Sequence, residues 1–176
     1  MNAWALRSGP PSASIERVPS FHIASRLRAP PERVWAHATS MAGINHELGP
    51  LLRMTHPPGM TSIGDLSPPL GMPLFRSIIL LFGVLPIDFD DVTLEVFEPR
   101  RSFRERSPTL SQRQWTHERS LEPTDDGVRL LDRITFEPKI PGAGAILAPL
   151  LHLVFRNRHR KLVGLFGGEV EGLRVP

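Results

Sequence analysis

Hydrophobic and polar residues alternate along several segments of the chain. In residues 18–28, Phe21, Ile23 and Leu27 fall on one side, and His22 and Arg26 fall on the other. A period of two over this length predicts a half-buried β-strand. Four later segments alternate in the same way and end at turn residues: 91–97, 101–107, 112–122 and 128–136. The last two flank the turn sequence of residues 123–127, which predicts a β-hairpin.

A different period indicates three helices. Pro31 is suited to the first turn of a short helix, and a second short helix is predicted over residues 41–48, before Gly49 and Pro50. Apolar residues recur every three or four positions over residues 145–165, which predicts one long amphipathic helix that Gly167 closes. The apolar run at 75–85 is compatible with a strand, a helix or a mobile apolar lid, and the pattern does not choose among them.

The order of these elements predicts an α+β domain. A first strand, two short helices, further strands and one long C-terminal helix indicate a curved antiparallel sheet of about six to seven strands with the helix across its concave face. We expect residues 18–168 to form this domain. Residues 1–17 are expected to be a flexible leader, and residues 169–176 a frayed tail.

Composition narrows the possible functions. The 176 residues include no cysteine, which excludes disulfides and thiolate metal sites, and no apolar run is long enough to span a bilayer. The formal net charge is only +3, because the high isoelectric point of about 10.5 reflects arginine without tyrosine. Nucleic-acid binding is therefore not predicted. The absence of a secretory signal pattern favours a cytoplasmic location.

Four segments carry a resemblance to a known family. Residues 29–35 (APPERVW), 115–119 (WTHER), 131–138 (LDRITFEP) and 155–162 (FRNRHRKL) resemble the START/Bet v 1 superfamily, specifically an uncharacterised subgroup of bacterial SRPBCC proteins. The resemblance extends over about residues 20–168. It implies a helix-grip fold with a cavity between the sheet and the C-terminal helix. Members of this superfamily bind lipids, sterols, quinones or polyketides, and some are aromatase/cyclases.

The leading hypothesis is therefore a protein of the SRPBCC type that binds an apolar small molecule, either without catalysis or with no assigned chemistry. We expect a cavity on the order of 300–1,000 Å³, with His117 and Arg119 as polar contacts. The predicted apolar lining consists of Trp35, Phe97, Phe103, Trp115, Phe136, Leu147, Leu151, Val154 and Phe155.

The strand at 112–122 allows two interpretations. Its geometry puts Trp115, His117 and Arg119 on one face, which would add an imidazole and a guanidinium to the pocket if that face points inward. Alternatively, Trp115 packs in the core while cross-strand pairs at the surface are formed by His117, Glu118 and Arg119. A catalytic version of the first interpretation makes His117 an acid or base, oriented by Glu105 or Asp132, that dehydrates or cyclises a ketide-like substrate.

Other site classes find little support in the sequence. The seven histidines show no HExxH motif and no i, i+4 spacing, so no metal site is predicted. The glycines match no phosphate-binding loop, and no cofactor is expected.

A basic cluster on the last helix bears on possible partners. It comprises Arg156, Arg158, His159, Arg160 and Lys161. These residues are compatible with peripheral contact to an anionic membrane, or with a solvated helix end whose cations interact favourably with the helix dipole. A third functional alternative is an interaction module that presents this helix to another protein. The sequence indicates neither an oligomeric state nor a particular ligand.

Overall fold

A computed structural model describes residues 18–64 and 69–176 as an eight-stranded antiparallel sheet with three helices. The predicted α+β class, with a curved sheet, two short helices after the first strand and a long C-terminal helix, is confirmed. The predicted leader at 1–17 lies outside the described residues. The strands are ordered β2-β3-β4-β5-β6-β7-β1-β8 in the sheet. Along the chain the elements are β1 (Ser20–Leu27), α1 (Pro31–Thr39), α2 (Met41–Leu48), β2 (Leu52–Met54), β3 (Pro73–Leu81), β4 (Leu85–Glu98), β5 (Ser102–Ser107), β6 (Gln112–Thr124), β7 (Gly127–Pro138), α3 (Gly144–Phe166) and β8 (Gly168–Arg174).

The junction between the two short helices fixes where α2 lies. Ser40 ends α1 and caps α2, and its Oγ accepts a hydrogen bond from the Gly43 N–H at 3.0 Å. A Cβ atom at position 43 would lie 1.9 Å from the carbonyl oxygen of His37, so only glycine fits there. This close turn directs the last residues of α2, including Glu47, toward the interior, where Glu47 is completely buried.

The apolar run at 75–85 forms most of a β-hairpin. Residues 73–81 are β3, and β4 begins at Leu85. Phe82 and Gly83 have φ values of 51° and 75° and turn the chain between the two strands. The strand interpretation of this segment is therefore the correct one for β3, and Phe82 and Val84 are exposed at the tip of the hairpin.

The expectation of a frayed tail is wrong for residues 169–174, because β8 (Gly168–Arg174) pairs with β1. Gly167 and Gly168 adopt φ values of 71° and 110°, a region that favours glycine, and they turn the chain back from α3 onto the sheet edge. Glu171 of β8 then forms ion pairs with Arg26 and Arg129.

Helix α3 packs on the sheet through two apolar clusters. Phe155 joins a cluster with Phe21 and Ile134. Leu162, one hydrophobic repeat further along the helix, joins a cluster with Trp35 and Phe103. Because the two clusters lie on either side of the middle of α3, the helix is held along much of its length.

Replacing Gly168 tests the turn that creates β8. A Cβ atom there would lie 1.9 Å from the Arg26 carbonyl oxygen, so we expect Gly168→Ala to lower the free energy of unfolding by about 2 kcal/mol. Gly164→Ala in α3 meets nothing within 4 Å and should instead stabilise by up to about 1 kcal/mol. Urea unfolding measures both, and equal effects of the two substitutions would contradict the assignment.

Candidate functional site

The centre of the molecule holds a buried arginine between two carboxylates. Arg119 of β6 has no solvent exposure. Its Nε and Nη2 donate to the Oδ1 and Oδ2 of Asp132, both at 2.7 Å. Its Nη1 and Nη2 donate to the Oε1 and Oε2 of Glu47 at 3.1 and 3.0 Å. Two bidentate pairs on one guanidinium satisfy its charge from both sides.

Three further residues join this network. The Nε2 atoms of His117 and His159 both lie 3.1 Å from Asp132. Arg158 donates from Nε to Glu47 Oε2 at 3.0 Å. The network contains two carboxylates and two guanidiniums, so its charges balance when both imidazoles are neutral. We call these residues, together with Glu47, Arg119 and Asp132, the buried charge network; it joins α2, β6, β7 and α3.

Burial and the neighbouring charges shift the pKa values of the network residues in opposite directions. Burial alone would raise the pKa of Asp132, but the adjacent Arg119 guanidinium holds this pKa well below its usual range. Arg119 and Arg158 likewise overcome the burial of Glu47 and lower its pKa. Burial lowers the pKa of His117, although Asp132 opposes this shift. At neutral pH the carboxylates are therefore charged and His117 is neutral.

Asp132 also fixes the tautomer of His117. A charged carboxylate only accepts hydrogen bonds, so the Nε2 of His117 carries the proton. The Nδ1 atom keeps its lone pair, and no hydrogen bond reaches it within residues 18–64 and 69–176. The ring packs against Phe103 and Phe155, with centroids 5.3 Å away in each case. His117 therefore offers an acceptor or base held in one orientation.

A cavity of about 50 Å³ lies between α1, α2 and the β3–β6 part of the sheet. Three polar groups, Glu105, His117 and Arg158, contribute to its wall. The apolar wall consists of Ala38, Met41, Ile44, Met54, Ile63, Phe75, Val92, Leu94 and Phe103.

The half-buried residues of the wall mark the mouth of the cavity. Ile44, Met54 and Phe75 are partly exposed, whereas the other apolar wall residues are buried. The mouth therefore lies between α2, β2 and β3.

The structure brings together only part of the predicted lining. Phe103 and His117 line the cavity, and Arg119 belongs to the buried charge network with no group left free. Six predicted residues belong to the apolar cluster beneath the first half of α3: Trp115, Phe136, Leu147, Leu151, Val154 and Phe155. Trp35 and Phe97 belong to the other apolar cluster. Contact of these residues with a ligand stays a prediction.

The face formed by Trp115, His117 and Arg119 points inward, as the first interpretation expected. Glu118, on the opposite face, makes the cross-strand surface pairs, with Arg104 at 2.7 Å and Arg133 at 3.0 Å. Of the two groups proposed to orient His117, Asp132 makes the hydrogen bond, and Glu105 lies directly opposite His117 on β5.

The sequence pattern missed Glu47 and misplaced two basic residues. Arg158 and His159 of the predicted basic cluster are buried in the charge network. Of the other members, Arg156 and Arg160 are exposed and Lys161 is half-buried. Glu47 is a carboxylate in a short helix with several apolar residues, and this was the sequence signal that could have indicated a buried, paired charge. Membrane contact through this helix stays a prediction.

The described residues form neither a group of metal ligands nor a helix that could span a membrane. Within residues 18–64 and 69–176, no three acidic or histidine side chains are grouped so that they would hold a metal ion. In the same part of the chain, no helix combines the length and apolar character that crossing a membrane requires.

Removing the central guanidinium tests the buried charge network. Arg119→Met leaves Asp132 buried without a guanidinium and Glu47 with Arg158 alone, and should lower the free energy of unfolding by about 3–5 kcal/mol. The exposed pair of Arg104 with Glu118 provides the control, since Arg104→Met should cost less than about 1 kcal/mol.

The pH dependence of this deficit follows from the lowered pKa values of Asp132 and Glu47. A lowered folded pKa contributes stability above about pH 4, and that contribution is lost as the pH falls through the folded value. The difference between wild type and Arg119→Met should therefore shrink as the pH falls below about pH 4. A deficit that is independent of pH in urea titrations would contradict this.

Solved structures similar to this one establish the fold. A Chromobacterium violaceum protein matches with a TM-score of 0.61 and 16% identity, over 85% of this chain and 99% of its own. A Rhodobacter sphaeroides protein matches with a TM-score of 0.60 and 19% identity, over 89% and 95%. Ara h 8.0201 matches with a TM-score of 0.51 and 11% identity, over 82% and 97%. These likenesses support the Bet v 1-like fold that the sequence resemblance implied.

Comparison at the level of sequence gives one match. No curated protein matches the chain. A family model described as a domain of unknown function, DUF8410, matches residues 25–166. The chain therefore belongs to the DUF8410 family.

Proposed function

We propose that this protein binds an apolar small molecule in the cavity between α2 and the β3–β6 part of the sheet. The observation that carries the proposal is the composition of the cavity wall, in which nine apolar side chains surround Glu105, His117 and Arg158. An apolar cavity with a few fixed polar groups is typical of small-molecule sites. A lipid, a quinone or a polyketide-like molecule has this combination of an apolar body and few polar atoms.

The size of the cavity requires it to open for such a ligand. Its volume of about 50 Å³ is far below the order of 300–1,000 Å³ that we expected from the sequence. Two of the wall residues, Met41 and Met54, have unbranched side chains that adapt to a new shape at low cost. We expect the ligand to enter at the mouth between Ile44, Met54 and Phe75 and to displace these side chains.

A bulky residue at the mouth tests this proposal. Ile44→Trp should weaken binding of the neutral fluorescent probe N-phenyl-1-naphthylamine by about tenfold or more, because the indole occupies the mouth. Ile146 is also helical and is 70% exposed, so Ile146→Trp is the matched control and should bind the probe as the wild type does. Equal affinities for the two variants, or no saturable binding to the wild type, would refute the proposal. The latter result would favour the interaction module.

A second candidate function is catalysis by His117, of the cyclase/dehydratase type. The specific observation that favours it is the hydrogen bond to Asp132, which leaves Nδ1 of His117 as a base at the cavity wall. Such a base takes a proton from a carbon next to a ketide carbonyl. Glu105 lies opposite and is the remaining titratable wall group that could return a proton.

The state of His117 provides a measurement for this candidate. We expect ¹⁵N chemical shifts of the ring to show the Nε2–H tautomer, with a pKa below the usual value of 6.5 because of burial. The exposed His56 serves as an internal reference for a solvent-accessible ring. An imidazolium at neutral pH, or a mixture of tautomers, would exclude His117 as the base. Loss of turnover of a ketide substrate in His117→Gln, with probe binding retained, would establish the enzyme.

A further inference from the structure

A second group of polar side chains lies next to the cavity, on strands β3 and β4. Phe75 and Val92 face each other across these strands, and both line the cavity. The next pair in the same register and on the same face is Ser77 with Asp90. Ser77 is completely buried and Asp90 is 6% exposed. The apolar wall therefore continues directly into a buried polar pair.

Strand β5 adds a carboxyl group to this pair. Glu105 lines the cavity, and Ser107 is the next residue on the same face. The Ser107 hydroxyl donates to Glu105 Oε1 at 3.2 Å and accepts from the Thr93 N–H at 3.1 Å. Ser107 therefore satisfies one oxygen of Glu105.

Two atoms of this group lack hydrogen-bond partners. In the part of the chain that the structure describes, neither Ser77 Oγ nor Asp90 Oδ1 has a partner. Buried polar atoms without partners are rare, and leaving one unpaired costs more than a hydrogen bond contributes. Here two such atoms belong to residues that face each other across two strands.

The charges around Asp90 are all acidic. Burial and the neighbouring Glu105 carboxyl raise the pKa of Asp90 well above its usual range, and Asp88 acts in the same direction. The Ser107 hydroxyl opposes this shift but does not cancel it. A neighbouring carboxyl and burial both disfavour the charged form of Asp90. No guanidinium or ammonium among the described residues neutralises Asp90, in contrast to the buried charge network.

We propose that Ser77, Asp90 and Glu105 form a polar subsite that binds a hydroxyl group, alcoholic or phenolic, on the apolar ligand. A hydroxyl group donates to Asp90 Oδ1 and accepts from the Ser77 hydroxyl, so one ligand atom satisfies both unpartnered atoms. A carbonyl oxygen would serve only Ser77. This inference rests on the proposed binding of an apolar molecule, and it specifies which class of molecule binds.

Three probes with the same aromatic body separate the two proposals. Naphthalene tests apolar binding alone, 2-naphthol adds a hydroxyl group, and 2-naphthylmethylamine adds a cation. By calorimetry we expect the wild type to bind 2-naphthol about tenfold more tightly than naphthalene, because two hydrogen bonds are gained. Ser77→Ala should remove most of this preference while leaving the affinity for naphthalene unchanged. Ser102, on the opposite face of β5 from Glu105, provides the control Ser102→Ala.

Every other outcome of this experiment overturns either the hydroxyl subsite or the apolar binding site. Equal affinities for naphthalene and 2-naphthol would overturn the subsite but leave apolar binding standing. Tighter binding of the amine, abolished by Asp90→Asn, would replace the hydroxyl subsite with a cation site. Failure of all three probes would remove the proposed function, and the subsite with it.

Asp90→Asn also provides a test that needs no ligand. The folded pKa of Asp90 lies above its unfolded value, so Asp90 contributes stability only at low pH, and this is lost as the pH rises. Asp90→Asn should therefore raise the urea midpoint at neutral pH, and the gain should vanish below about pH 4. Asp125→Asn, at an exposed turn, should change neither value. A lower midpoint for Asp90→Asn at neutral pH would assign Asp90 a structural role and overturn the subsite.

Discussion

The arrangement of the interior depends on one guanidinium that is buried between two carboxylates. An arginine with no solvent exposure is stable only when its partners compensate for lost hydration, and Arg119 requires both Glu47 and Asp132 for this. Because Glu47 comes from α2 and Asp132 from β7, the ion pairs fix the short helices relative to the sheet. Arg158 and His159 extend the same constraint to α3. The helix is therefore held by directional contacts at its centre as well as by apolar packing.

This constraint explains why the space beneath α2 stays partly open. Apolar packing alone would draw α3 toward any void, because burial of apolar surface has no preferred direction. The bidentate pairs of Arg119 and the contact of Arg158 with Glu47 hold only over short distances, so α3 cannot shift toward β3 without breaking them. Phe155 and Leu162 consequently pack in the two apolar clusters under α3, and the cavity lies between α2 and the β3–β6 part of the sheet.

Local periodicity was sufficient to predict most elements, but not their long-range partners. Alternation located the strands at 91–97 and 128–136, and the spacing of apolar residues located α3. Strand β8 was missed because it depends on the conformations of Gly167 and Gly168 and on pairing with β1, far away in sequence. The inward face of β6 was among the predictions, yet Glu47 lies 72 residues from Arg119. No spacing rule connects two such residues, so the sequence pattern could not place the buried charge network.

The buried polar groups of this protein fall into two sets with different physical explanations. In the charge network each carboxylate accepts hydrogen bonds from a guanidinium. The stability of the folded chain explains why both the acidic and the basic partners are present. Asp90 and Ser77 lie on the same concave face with unpartnered atoms, and the nearest ionisable neighbours of Asp90 are other carboxyls. Stability does not explain the presence of Ser77 and Asp90. Alanine in place of Ser77 would leave no hydroxyl unpaired, and asparagine in place of Asp90 would leave no charge unpaired. Unsatisfied polar atoms beside an apolar cavity are instead what a preformed recognition site presents before its ligand arrives. The compensated charges therefore hold the elements of the fold together, whereas Ser77 and Asp90 are the uncompensated groups that we propose a ligand completes.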